Sequence, residues 1–201
     1  MTELTNMGVV ILAAGSSSRL GRPKQLLEYQ NKTLLQRIID MVTSFAFNPS
    51  IVVLGAHAEQ IRDATELENV TTVYNEDWSE GIASSIRMGV EEATKLNTKM
   101  DSILFLLSDQ PYVTSGLIRE LINKHEEGSQ LITACSYKKN VGVPAIFPKQ
   151  FFPMLRKLRG DVGAKKIILQ HSQHVNEVPF KKGYIDIDTT EDYEQLQETN
   201  S

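Results

Sequence analysis

The sequence predicts a single α/β domain of three layers, with a mostly parallel sheet and helices on both faces. Two observations carry this expectation. Short, continuous apolar runs recur along the chain, and helix-period apolar stripes lie between them. A run without polar alternation is what a strand covered on both faces requires. Alternation of strands and helices favours parallel strands joined by crossovers. A chain of 201 residues is long enough for one domain with a substantial core and short for two.

Taken in order, residues 9–13 (VVILA) form the first expected strand. Thr33 and Gln36 then make a capping box, followed by a stripe of Leu34, Leu35, Ile38, Ile39 and Val42. Residues 51–54 are a second strand, and Ile82, Ile86, Gly89, Val90 and Ala93 form another helical stripe. Residues 103–107 (ILFLL) read as a third strand. Thr114 precedes the stripe Leu117, Ile118, Leu121 and Ile122, and residues 131–135 are a fourth strand. In residues 184–189 (YIDIDT), Asp186 and Asp188 alternate with isoleucines, which puts both on one face of an extended segment. Residues 1–7 and 195–201 read as frayed tails of this one domain, 1–201.

Composition excludes more than it assigns. A net charge of −4 offers no general attraction for nucleic acid or an anionic membrane. The apolar runs are far too short to span a bilayer, and no signal-peptide pattern opens the chain. The lone Cys135 sits in an apolar run, as a buried structural thiol would, and suits a reducing compartment; the cytoplasm is expected. The four histidines lie in polar surroundings, and His171 with His174 reads as solvated surface more than as a metal pair.

The chemistry concentrates after the first strand. Residues 9–27 (VVILAAGSSSRLGRPKQLL) run from apolar strand into a Gly/Ser loop and then supply Arg19, Arg22 and Lys24. Backbone N–H donors and three cations at one spot suit a nucleoside triphosphate. The loop is neither a P-loop, since Gly21 is followed by Arg22 and Pro23, nor a dinucleotide fingerprint, since Gly15 lacks its partner glycine. Ligands of open α/β sheets bind beyond the carboxyl ends of the strands, where both Gly15 and Asp109 would emerge. Taken alone, Asp109 reads equally as a helix cap, and Asp188 could cap a helix starting near Thr190. Ser84, Ser85 and Arg87 lie near a helix start, where an anion is favoured.

The segment L-A-A-G-x-S-x-R-x-G-x-x-K resembles the signature loop of MobA-like nucleotidyltransferases, and is most similar to that of the molybdenum cofactor cytidylyltransferases. The likeness continues at residues 80–89, 107–111, 142–147, 159–164 and 186–193. It implies a Rossmann-like fold of the nucleotide-diphospho-sugar transferase type, and transfer of CMP from CTP to a molybdopterin acceptor with release of pyrophosphate. It implies Arg19, Lys24, Asp109 and Asp188 as catalytic residues, with Asp109 and Asp188 holding Mg²⁺ or Mn²⁺ and Asp186 in reserve. Leu12, Ala13, Ala14, Gly15, Ser17, Arg19, Lys24, Ser84, Ser85 and Asp109 would bind the nucleotide. A molybdoenzyme or its chaperone is the implied partner. Residues 12–15 read LAAG where guanylyltransferases more often show LAGG, and the loss of room near the base leans toward CTP. Guanylyl transfer, methylerythritol-phosphate cytidylyl transfer and a non-catalytic nucleotide-binding chaperone are the alternatives.

Overall fold

In a computed structural model, which describes residues 6–128, 130–138 and 140–198, the first strand β1 covers Met7–Ala13. A small hairpin of β2 (Glu28–Tyr29) and β3 (Lys32–Thr33) follows, then α1 (Leu34–Thr43), β4 (Ser50–Leu54), α2 (Ala58–Asp63) and β5 (Thr71–Tyr74). The second half comprises α3 (Ile82–Leu96), β6 (Ser102–Leu107), α4 (Ser115–Glu127), β7 (Ile132–Tyr137) and β8 (Asn140–Pro148). It ends with α5 (Phe152–Leu155), α6 (Lys165–Gln170), β9 (Val175–Pro179) and α7 (Thr190–Glu198). Seven strands form one sheet in the order β5-β4-β1-β6-β8-β7-β9. Only β8 runs against the others, because a tight turn at Lys138 returns it beside β7.

Alternation along each central strand divides the core in two. Val9, Ile11, Val52, Leu54, Leu104 and Leu106 face α1, α2 and α4. Val10, Leu12, Ile51, Val53, Ile103 and Phe105 face α3, α5 and α6. Each fully buried branched side chain contributes roughly 1.5–3 kcal/mol, so the two apolar layers fix the sheet and hence the positions of its carboxyl ends. Gly89 lets α3 sit directly on β1, since a Cβ there would meet Val10 Cγ1 at 2.5 Å. The three-layer, mostly parallel architecture is the one the sequence predicts.

Several local expectations change. Met7 is buried in β1 and Leu196 is buried in α7, so neither lies in a frayed tail; residues 1–5 and 199–201 lie outside the described residues. Residues 131–135 shift to Ile132–Tyr137. Thr33 accepts from Gln36 N at 3.2 Å, but the Gln36 side chain turns to Asp40 and to Glu66 N, so only half of the capping box forms. Residues 184–189 are not a strand, because a single backbone bond from Ile187 N to Asp109 O (3.2 Å) is no ladder. His125 is buried against Thr133, and burial lowers its pKa. Cys135 is fully buried, and burial, reinforced by Glu120, pushes its thiol up to about 12. No described helix is long and apolar enough to cross a membrane.

Candidate active site

The loop after β1 is held from within. Gln25 is buried and its amide donates to the carbonyls of Ala13 (2.8 Å) and Gly15 (3.1 Å). Ser17 adopts a left-handed φ of 52°, its carbonyl accepts from Leu20 N and Gly21 N, and its hydroxyl accepts from Lys24 N at 3.0 Å. The His57 ring lies 2.8 Å from Ser16 O. These contacts set the short 3₁₀ turn Lys24–Leu26 and aim the Lys24 side chain back across the sheet end.

Lys24 Nζ donates to Asp109 Oδ2 at 2.5 Å and to Asp188 Oδ1 at 2.9 Å. Asp109 leaves the carboxyl end of β6, and the Ile187 N bond to its carbonyl brings Asp188 alongside. Burial opposes the Lys24 ammonium, but the Asp109 and Asp188 carboxylates outweigh it and raise the pKa. Arg19 stands at the exposed rim, its Nη1 3.6 Å from Asp188 Oδ2. Neither aspartate caps a helix. Thr114 accepts from Leu117 N to cap α4, and Thr189 caps α7 in a reciprocal arrangement with Asp192.

Asp186 lies beside this group, and burial followed by the Asp109 charge pushes its carboxyl up to about 6, although Gln110 and Lys24 oppose the shift. Asp109 Oδ1 and Asp186 Oδ1 are buried with no hydrogen-bond partner. Among the described residues no three acidic, histidine or cysteine groups form a cage for a metal. Hard carboxylate oxygens with a free lone pair at Asp109 nevertheless suit Mg²⁺ or Mn²⁺, which use one or two carboxylates and complete their shell with phosphate and water. The donor set therefore fits a divalent cation that arrives with phosphate. His171 and His174 offer no alternative; the His171 Nδ1 faces Ile167 O at 3.0 Å and its ring packs on Phe151.

A cavity of about 320 Å³ opens at this end of the sheet. Of the expected nucleotide-binding residues, Leu12, Ala14, Gly15, Lys24, Ser85 and Asp109 line it. Ala13, Ser17, Arg19 and Ser84 do not, and neither does Asp188, the expected second metal ligand. Strand alternation turns Ala13 into the opposite core layer, and Ser17 acts on the loop from behind. Ser84 Oγ accepts from Asn75 Nδ2 (2.8 Å) and donates to Gly81 O (2.8 Å), which makes it part of the scaffold.

The facing wall includes Trp78, Gly81 and Asp161, residues that sequence reading did not single out individually. Gly81 has φ 120° and packs so closely on the segment 160–161 that a Cβ would lie 2.7 Å from Asp161 Cα. Arg87, expected to help hold an anion, instead pairs with Glu80 and donates to Leu158 O at 2.8 Å. Glu80 in turn accepts from Gly160 N at 2.9 Å. The Arg87 guanidinium, then the Gly160 amide, hold the Glu80 carboxyl down at about 2. Arg87 thus clamps the 158–161 loop to the start of α3. The motifs at residues 80–89 and 159–164 were the available signal, since the two meet here.

A family model described as the MobA-like NTP transferase domain matches residues 9–175. Nicotine blue oxidoreductase from Paenarthrobacter nicotinovorans is 31% identical over 178 residues, 84% of each chain. The bifunctional protein GlmU of Desulfitobacterium hafniense (strain Y51) is 31% identical over 137 residues, which is 66% of this chain and 29% of that protein. Among solved structures, Rv0371c from Mycobacterium tuberculosis H37Rv aligns with a TM-score of 0.84 at 34% identity, over 98% of this chain and 100% of that one. A structure of Rv0371c in complex with manganese aligns at 0.80 and 31%, over 97% and 100%.

Proposed function

The chain belongs to the MobA-like NTP transferase family, and from that premise we propose that it transfers CMP from CTP to a phosphate-bearing acceptor of the molybdopterin type. One observation carries the reading. The Lys24 ammonium is held between Asp109 and Asp188 beside a cavity whose volume of about 320 Å³ falls in the range of small-molecule sites.

In this reaction an acceptor phosphate oxygen forms a bond to the α-phosphorus. The bond from that phosphorus to the bridging oxygen breaks, and its electron pair leaves with pyrophosphate. The incoming oxygen is already ionised, so no general base is needed. The protein supplies alignment and charge neutralisation. Lys24 neutralises the phosphates that depart, and Arg19, free to swing at the rim, adds a two-pronged contact. Ser17 and Gln25 hold the loop so that its N–H groups need no rearrangement. A divalent cation, Mg²⁺ or Mn²⁺, held by Asp109 and Asp188 would add Lewis-acid stabilisation of the triphosphate charge. Ala14 lines the cavity, and its methyl group narrows the space for a base, which favours the smaller pyrimidine. A molybdoenzyme or its chaperone in the cytoplasm is the proposed recipient of the product.

The test is pyrophosphate release with CTP, GTP, ATP and UTP, each with and without molybdopterin. CTP with acceptor should be fastest. A tenfold preference for GTP, about 1.4 kcal/mol, would move the assignment to guanylyl transfer, and no release from any nucleotide would sink it. The name of the Paenarthrobacter relative favours a second reading, redox chemistry in the same cavity. A redox change of nicotine blue, followed by its absorbance, without pyrophosphate release from any nucleotide would select it.

A further inference from the structure

Lys24 is the only cation among the described residues lining the cavity, and it stands with Asp109. The facing wall contributes one charged lining residue, Asp161, which is exposed. Among the described residues nothing engages this carboxylate through a hydrogen bond or ion pair. Its backbone, by contrast, is tightly placed. Gly160 O accepts from Ala83 N at 3.2 Å, Gly160 N donates to Glu80, and Gly81 leaves no room for a side chain against Asp161. Three contacts thus fix the backbone that carries a free anionic acceptor, in a site whose phosphate-binding end is elsewhere.

A carboxylate repels phosphate and accepts only from donors. The geometry points to Asp161 as a specificity-determining residue that accepts a hydrogen bond from a neutral donor of the nucleoside, a ribose hydroxyl or an exocyclic amine. The assignment rests on the nucleotide-transfer reading above and adds to it the group that reads the part of the substrate beyond the phosphates. Sugar and base reach the wall of Trp78 and Gly81, while Lys24 retains the phosphates.

Direct binding, measured by calorimetry without acceptor, separates these contributions. Asp161→Ala should weaken CTP by about tenfold or more, as expected for a lost hydrogen bond to a charged group, and leave tripolyphosphate within about twofold. Asp161→Asn retains one acceptor oxygen and should recover part of the loss. The wild-type-to-alanine ratio should collapse for 2′,3′-dideoxy-CTP if the donor is a ribose hydroxyl, and for UTP if it is the cytosine amine. Unchanged CTP binding by Asp161→Ala overturns the assignment, and so does a ratio that persists with both probes. Equal loss of CTP and tripolyphosphate would mark Asp161 as merely structural, which also overturns it. A wild-type protein that binds tripolyphosphate but no nucleoside triphosphate more tightly overturns it too. A wild-type protein that binds neither removes the nucleotide-transfer reading, and this inference with it.

Discussion

The two walls of the cavity use the same residue types in opposite ways. On the β1 side, Lys24, Asp109, Asp188 and Arg19 converge at the sheet end, and their charges remain available to a ligand at the rim. On the α3 side, Arg87 and Glu80 satisfy each other and two backbone groups, while Asp161 is left free. An ion pair with backbone partners on both members is a fastener. One shared among three charges, with orphaned lone pairs beside it, is a site. The partners of a charge, more than its identity, separate the two roles.

The largest expected effect breaks the first wall. Asp109→Asn should reduce turnover by about a hundredfold or more, the scale of losing charge stabilisation worth several kcal/mol. The melting temperature should hold within a few degrees, because Thr114, and not Asp109, caps α4. Turnover against Mg²⁺ concentration, with a melting curve alongside, checks both parts. Near-normal turnover at low Mg²⁺ would remove Asp109 from the chemistry.

The second prediction loosens the other wall. Arg87→Met frees Glu80 and the Leu158 carbonyl, so the melting temperature should fall by a few degrees. KM for the nucleotide should rise more than kcat falls, since positioning is lost and chemistry is kept. The acid limb provides a signature. The folded pKa of Glu80, about 2, lies below its ordinary 4.5, so its contribution is present above pH 4.5 and is lost as pH falls toward 2. The variant should lose stability less steeply over that window. An unchanged KM would show that the 158–161 loop needs no clamp.

The smallest effect belongs to a group that serves neither wall. Burial lowers the pKa of His125, so the fold prefers its neutral form. Stability from this source is present above pH 6.5 and declines as pH falls below it. His125→Gln is neutral at every pH and should flatten that part of the melting-temperature profile without altering turnover.

Much of this was readable in the residues. The runs in β1, β4 and β6 are buried on both faces and have no polar alternation, so they declare themselves, and with them the end of the sheet where Gly15 and Asp109 emerge. Edge strands do not. β5 is mostly exposed, and β9 mixes polar and apolar residues. β8 holds Gly142 and Pro144 near a register shift between Ala134 and Cys135, composition that argues against a strand. At the site, Ser84 and Ser85 are neighbours of one type, and only the position of Asn75 and the lining of the cavity tell them apart. The pairing of Glu80 with Arg87 spans the start of α3, where helical periodicity gives no guide. The resemblance implied that residues 160–165 line the pocket, but no pattern in the residues told Asp161 apart from its neighbours.

The bonds from Lys24 join residues 85 and 164 positions apart. The last strand of the large sheet ends at Pro179, so Asp188 lies beyond the sheet in the chain. Closing loops of such length carries an entropic cost. The segment that brings Asp188 home packs through few apolar groups, chiefly Ile187 and Leu196 against Leu20, Leu27, Tyr29 and Leu34. It is therefore a natural unit for partial opening, in which the last stretch of chain detaches while the sheet persists. Hydrogen exchange should then show residues 186–196 opening while the sheet stays protected, a state in which the contacts of Asp188 with Lys24 and Arg19 are broken.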